Sequence, residues 1–123
     1  NCSLLRGVFL EAQELARGIM EAIAERRGFN ILLLDLRTIS LIADYFVICS
    51  AGSSRQMAAI VEEVRKRSGE RGDRVLSVEG VAESGWVILG SVRVIVHIFT
   101  PAGRSYYDLE RLWKDAPLVV AIQ

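Results

Sequence analysis

The sequence predicts an α/β (α+β) fold, in which helices pack on a mixed sheet of about five strands. Two long segments carry apolar residues at helical spacing, and short apolar runs of strand length lie between and after them. The resulting element order is α-β-β-α-β-β-β-α. A length of 123 residues suits one domain, so we expect residues 1–123 to form a single unit with its core over about 8–117.

The first half of the chain alternates helices and strands. A helix is predicted over 8–27, because apolar residues recur every three or four positions and Gly28 follows as a stop. Strands are expected at 31–36 and 45–50. Ser53 is the expected N-cap of a second helix, which continues to Gly69. The second strand, this helix and a third strand at 75–78 are predicted to form a right-handed parallel crossover.

The second half of the chain reads as a hairpin, a helix and a tail. Strands are predicted at 75–78, 86–89 and 92–99. Gly90-Ser91 fits a two-residue hairpin turn with glycine first. The last helix is expected from Ser105, which forms a capping box with Asp108, to about Trp113. Residues 118–122 are predicted to form a short extended tail.

Composition narrows the class of partner. Lys plus Arg total 15 and Asp plus Glu total 15, so the net charge is zero. Proteins that grip nucleic acid backbones carry a basic excess, so a protein partner or small ligand is favoured over DNA. No apolar run is long enough for a membrane span, and the first residues show no secretory leader. Cys2 and Cys49 form no metal-binding motif, and Cys49 is expected to be a small buried residue. A chain with two such cysteines fits a reducing compartment, so a cytoplasmic location is expected.

The turn around Gly52 and Ser53 joins a strand to a helix and has two interpretations. Such a turn can hold a phosphate on backbone N–H groups. Enzymes that use this element for nucleotide chemistry also need paired carboxylates on a neighbouring strand to hold Mg²⁺. No such pair occurs on any predicted strand. The sequence therefore favours an ordinary helix cap and predicts no metal and no cofactor.

His97 is the only histidine and lies inside an apolar strand. Alternation places it on one face with Ile95 and Phe99, while the opposite face is the predicted core face, made of Val92, Val94, Val96 and Ile98. Three roles are open for His97: a hydrogen-bonded structural residue, which is favoured, a residue at a partner surface, or a general base. A general base would need partners such as Ser50 and Asp108, for which no motif exists.

Several aromatic residues follow or precede this strand. Trp86 and Ile88 alternate onto one face of their strand, where together they would form an apolar patch. Tyr106 and Tyr107 open the last helix. Aromatic side chains with polar tips are frequent anchors of protein interfaces. Three residues at helical spacing are expected to pack the last helix on the sheet: Leu109, Leu112 and Trp113.

Together these residues resemble the Iojap family, the bacterial ribosomal silencing factors called RsfS, over roughly residues 10–117. The segments that carry the resemblance are 44–48, Ser50, Arg55, 79–80, Trp86, 96–99 and 104–113. The last segment, Arg-Ser-Tyr-Tyr-Asp-Leu-Glu-Arg-Leu-Trp, is specific and lies at a fixed distance from His97. The chain departs from the family pattern at Gly90 and Val92, where relatives usually carry Asp and Gly.

The resemblance implies a nucleotidyltransferase-like fold without enzymatic activity. It implies binding to large-subunit ribosomal protein L-fourteen, which blocks joining of the small subunit and represses translation under nutrient limitation. It also implies a homodimer. The expected contacts with the ribosomal protein are Trp86, Ile88, His97, Tyr106 and Tyr107. Two alternatives stay open: an atypical nucleotidyltransferase that binds nucleotide near Gly52 and Ser53, and a dimeric scaffold for an unrelated partner.

Overall fold

The computed structural model describes the backbone of residues 2–41 and 43–122, and within these ranges the side chains from Ala12 onward. The elements are, in chain order, α1 (Cys2–Glu25), β1 (Phe29–Asp35), β2 (Tyr45–Ser50), α2 (Ser54–Glu70), β3 (Ser77–Glu79), a 3₁₀ turn (Ala82–Ser84), β4 (Trp86–Gly90), β5 (Val94–Phe99), α3 (Pro101–Tyr107), α4 (Leu109–Leu112) and β6 (Leu118–Ile122). The predicted mixed α/β class is confirmed, with six strands in place of about five.

The strands form one sheet in the order β3-β4-β5-β2-β1-β6. The central strands β2 and β5 run parallel, and each other neighbouring pair is antiparallel. The predicted crossover leads from β2 through α2 to β3, and β3 runs parallel to β2 as expected. However, β3 is not the neighbour of β2 in the sheet. The hairpin of β4 and β5 lies between them, because β5 is buried along most of its length and β3 is exposed at every residue.

The main core lies on the sheet face that α1 and α2 cover. Val94, Val96 and Ile98 belong to this core together with residues of both helices, as alternation predicts. The prediction that Val92 shares this core face is wrong, because Val92 lies in the turn before β5 and is 69% exposed. Cys49 is also fully buried in this core, and burial raises the pKa of its thiol to about 12. The prediction of a buried Cys49 is confirmed. No helix of the described residues is long and apolar enough to cross a membrane.

A second cluster lies on the opposite sheet face. Its buried members are Leu34, Leu36, Phe46, Ile48, Phe99, Leu109 and Ala116. The short helix α4 and the chain after it cover this face over β1 and β2, with Trp113 packed against the cluster. Leu112 was expected to pack here as well, but it is exposed. The helix ends after one turn at Leu112, so Leu109 alone reaches the sheet from it.

The end of α1 differs from the prediction, and the role of Gly28 there is steric. The predicted helix over 8–27 belongs to α1, although the side chains at 8–11 lie outside the described residues. The left-handed residue after α1 is Arg27, with φ 65°, and not Gly28. Gly28 is needed for space, because a Cβ there would lie 2.3 Å from a methyl group of Ile23.

The hairpin turn lies two residues later than predicted. Gly90 belongs to β4, where a Cβ would lie only 2.7 Å from the Ser77 hydroxyl of the neighbouring strand. Val92 and Arg93 form the turn, which the Ser91 N–H closes by donating to the Val94 carbonyl (3.1 Å). The predicted strand at 92–99 begins accordingly at Val94. The third strand is shifted in the same sense and begins at Ser77.

The last helix starts earlier than its predicted capping box. Thr100 is the N-cap of α3, and its hydroxyl accepts a hydrogen bond from the Gly103 N–H (3.0 Å). Pro101 occupies the first helical position, where its fixed φ favours a helix. Asp108, with φ 48°, separates α3 from α4 and does not pair with Ser105. The predicted tail at 118–122 is strand β6, which pairs antiparallel with β1.

Candidate partner-binding surface

The strand register brings three of the predicted contact residues to one sheet face. In the β4–β5 pair, Trp86 lies opposite Phe99, and Ile88 lies opposite His97. Directly opposed residues of neighbouring strands point to the same face of a sheet. Trp86, Ile88 and His97 therefore share the face opposite α1 and α2. The shared face of Trp86 and Ile88 is the one that alternation predicts.

Trp86 is the centre of this region. Its indole Nε1 donates a hydrogen bond to Nδ1 of His97 (3.1 Å). The indole also stacks on Phe99, with ring centroids 5.2 Å apart and planes 23° apart. The ring of Tyr107 lies 4.7 Å from it on the side of α3. Trp86 is half-buried, so one part of the indole supports the fold while another part remains available to a partner.

His97 lies beneath Trp86 and is only 5% exposed. Burial lowers the pKa of its imidazole to about 4, so the ring is neutral at pH 7. Because Nδ1 accepts the indole hydrogen bond, the single proton lies on Nε2. Within the described residues, His97 hydrogen-bonds to neither Ser50 nor Asp108. This geometry supports the interpretation of His97 as a hydrogen-bonded structural residue.

The two tyrosines extend the aromatic region beyond the sheet. Tyr106 is 82% exposed and Tyr107 is 38% exposed, and their rings meet edge to face at 5.0 Å. A hollow of about 480 Å³ lies beside both rings, between the 3₁₀ turn and α3. We call Trp86, Ile88, Tyr106 and Tyr107 the aromatic surface. It is a mixed patch of aromatic and aliphatic side chains.

A contact between two glycines sets the position of α3. A Cβ at Gly103 would lie 2.3 Å from the carbonyl oxygen of Gly85, so only glycine allows this approach. Gly85 has φ 84°, a conformation that also favours glycine. Gly85 directly precedes Trp86 in the chain. The close contact therefore brings α3 next to the start of β4, where Tyr107 can reach Trp86.

Arg104 is a functional candidate that the sequence analysis named only as part of the family segment. Its Nη1 donates to the Ser50 hydroxyl (2.8 Å) and to the carbonyl of Asn30 (2.6 Å). Its Nε donates to the Glu110 carboxylate (2.5 Å). The available signal was Ser50, a polar residue at the end of an otherwise apolar strand, which needs a buried partner.

The turn at Gly52 and Ser53 serves as a helix cap. The Ser53 hydroxyl accepts from the Gln56 N–H (3.1 Å), and the Gly52 N–H donates to the Gln56 side chain (2.6 Å). The amide of Gln56 also donates to the carbonyl of Arg27 (2.7 Å). The described residues contain no group of three or more His, Cys, Asp or Glu that could hold a metal ion. This geometry supports the cap interpretation.

The fold and this surface define a small mixed α/β protein with an aromatic patch on a partly covered sheet. The sequence matches the family model described as ribosomal silencing factor during starvation, RsfS, over residues 10–123. It is 46% identical to ribosomal silencing factor RsfS of Bacillus subtilis over 94 residues, which are 76% of this chain and 80% of that protein. It is 29% identical to the chloroplastic protein Iojap of Zea mays, covering 86% of this chain and 46% of that protein.

The fold is shared with a solved relative. The crystal structure of a protein from Chromobacterium violaceum superposes with a TM-score of 0.78 at 30% identity, over 83% of this chain and 85% of that one. The chain belongs to the family of ribosomal silencing factors, RsfS. The resemblance read from the sequence is confirmed.

Proposed function

We propose that this protein silences ribosomes by binding the large subunit through ribosomal protein L-fourteen. Bound there, it blocks joining of the small subunit by steric occlusion and represses translation under nutrient limitation. Family membership carries this proposal, because a relative with 46% identity is named as a ribosomal silencing factor. The proposed setting is the cytoplasm, and the proposed functional unit is about residues 8–117.

The aromatic surface supports a docking role. Half-buried or exposed Trp and Tyr side chains provide a large contact area with few rotatable bonds, and they are common binding hot spots. Trp86, Ile88, Tyr106 and Tyr107 are the proposed contacts with the ribosomal protein. His97 is covered, so its proposed contribution is to hold the indole of Trp86 in place.

The mechanism requires no chemical step. A complex blocks subunit joining only if it outcompetes the small subunit for the same face, so affinity and concentration decide the outcome. We therefore propose a non-enzymatic protein without a cofactor. We also propose that it forms a homodimer, which sedimentation velocity over a range of concentrations would test.

The first experiment is cosedimentation of the purified protein with isolated large subunits, with and without added small subunits. Wild-type protein should pellet with large subunits and lower the yield of joined ribosomes. Tyr106→Ala is the cleanest surface variant, because the side chain is exposed and its loss leaves the core intact. We expect it to weaken binding about tenfold, the effect of losing an interface hot spot of about 1.4 kcal/mol.

A matched control is Leu41→Ala. Leu41 is also an exposed large apolar residue, but it lies in the connection between β1 and β2, at the other end of the strands from Trp86. Its binding should equal that of the wild type. Binding of isolated L-fourteen to each variant then separates the proposed partner from the rest of the subunit. Equal affinity of both variants would remove the aromatic surface from the proposal.

A further inference from the structure

The guanidinium of Arg104 lies between α3 and the sheet. Its side chain is 14% exposed, and its hydrogen bonds join three separate parts of the chain. It bonds to Ser50 at the end of β2, to the carbonyl of Asn30 in β1, and to Glu110 in α4. One side chain thus fixes α3 to two strands and to the helix that follows.

The position of α3 depends on such contacts. With seven residues, α3 is too short to be stable on its own in water. Arg104 and Tyr107 are three positions apart, so they lie on the same side of this helix. Anchoring Arg104 to β1 and β2 therefore also fixes Tyr107, whose ring lies 4.7 Å from the ring of Trp86.

We infer that Arg104 is the positioning residue of the aromatic surface. It holds Tyr107 against Trp86 and so preorganises the contact with the partner, without touching the partner itself. This inference rests on the proposed function for its effect on binding. Lysine cannot replace arginine in this role, because a single ammonium group lacks the planar fork that reaches three acceptors at once.

The first test measures the surface without a ribosome. In a Trp113→Phe background, Trp86 is the only indole, and its emission reports the packing of Tyr107 on it. Arg104→Lys in this background should shift the emission to longer wavelength, because the indole gains contact with water. Arg111→Lys, a change of the same type in α4, should leave the emission unchanged. An unchanged spectrum for Arg104→Lys would overturn the inference.

A milder variant keeps this test valid if Arg104→Lys folds poorly. Ser50→Ala removes one of the three acceptors and leaves the guanidinium in place. We expect a smaller shift of the Trp86 emission in the same direction. A Ser50→Ala protein that has lost stability but keeps the wild-type spectrum would show that the network stabilises the fold without positioning Tyr107.

The second test is a double-mutant cycle in large-subunit binding. Arg104→Lys should weaken binding about tenfold. The double variant with Tyr107→Ala should bind no more weakly than Tyr107→Ala alone, because Arg104 acts through that ring. Additive losses would show an independent effect of Arg104 and would overturn the inference. If wild-type protein does not bind large subunits, the proposed function fails, and the Trp86 emission alone decides the positioning role.

Discussion

Trp86 and His97 are joined by a hydrogen bond of 3.1 Å that runs from the indole Nε1 of β4 to the imidazole Nδ1 of β5. The two residues lie diagonally across an antiparallel pair, within reach for large side chains. The bond selects the tautomer of His97 and fixes the tilt of the indole. His97 thus holds the indole of Trp86 in place, although His97 itself is too buried to contact a partner.

Trp86→Phe tests the contribution of this bond. The variant keeps an aromatic ring but leaves Nδ1 of a buried imidazole without its donor. We expect the free energy of unfolding to fall by about 1–3 kcal/mol, the cost of an unsatisfied buried polar group and a smaller ring. Urea denaturation measures it. Trp113→Phe makes the same replacement away from His97 and should cost less, whereas equal losses would mean that ring size alone matters.

The buried imidazole predicts a specific dependence of stability on pH. Because the pKa of His97 is about 4 in the folded state and near 6.5 when unfolded, the unfolded chain binds more protons between these values. The contribution of His97 to stability should therefore be constant above pH 6.5 and fall by about 3 kcal/mol as pH drops to 4. His97→Gln should lose this component. The pKa of Asp35 is lowered by its bond to Arg37, so the stability that it adds is lost below this window.

Two buried serines offer a matched comparison of hydrogen bonding. Ser50 and Ser68 are each 1% exposed. The Ser50 hydroxyl accepts from Arg104, whereas the Ser68 hydroxyl has no hydrogen-bond partner among the described residues. Ser50→Ala should lower the free energy of unfolding by about 1–3 kcal/mol, because it leaves a buried charged donor with one acceptor fewer. Ser68→Ala should be neutral or stabilising, and thermal unfolding of both proteins would show a reversed order if this account is wrong.

Two helical glycines should respond in opposite ways to the same substitution. Gly103→Ala forces a methyl group against the Gly85 carbonyl, so α3 must move away from β4. We expect a loss of several kcal/mol in stability together with weaker large-subunit binding. A Cβ at Gly69 in α2 meets nothing within 4 Å, so Gly69→Ala should stabilise the protein by up to about 1 kcal/mol. Equal melting temperatures for the two variants would contradict the proposed close contact.

Local sequence patterns predict some features of this fold and not others. Alternation in β5 depends on neighbours along the chain, and it predicted the burial of Val94, Val96 and Ile98 correctly. The position of β3 depends on competition among strands for the buried centre of the sheet, which local pattern does not record. The predicted start at Ser105 was wrong because the helix begins at Pro101, whose fixed φ suits a first helical residue.

The sequence also predicted only part of the candidate partner-binding surface. Alternation placed Trp86 and Ile88 on one face of β4, and the register shows that His97 of β5 lies on the same face of the sheet. The hydrogen bond between Trp86 and His97 could not be read from spacing, because it depends on two side-chain rotamers. The Arg104 network joins residues from distant parts of the chain, such as Asn30 and Glu110. Only the tertiary fold brings them together.

The pairing of β6 with β1 has a consequence for the order of folding during synthesis. Residues 86–107, which carry the aromatic surface, leave the ribosome before residues 118–122. Until β6 emerges, one edge of β1 keeps unpaired backbone groups, which can pair with other chains. When β6 emerges, it pairs with this edge of β1 and itself becomes the outer strand of the sheet.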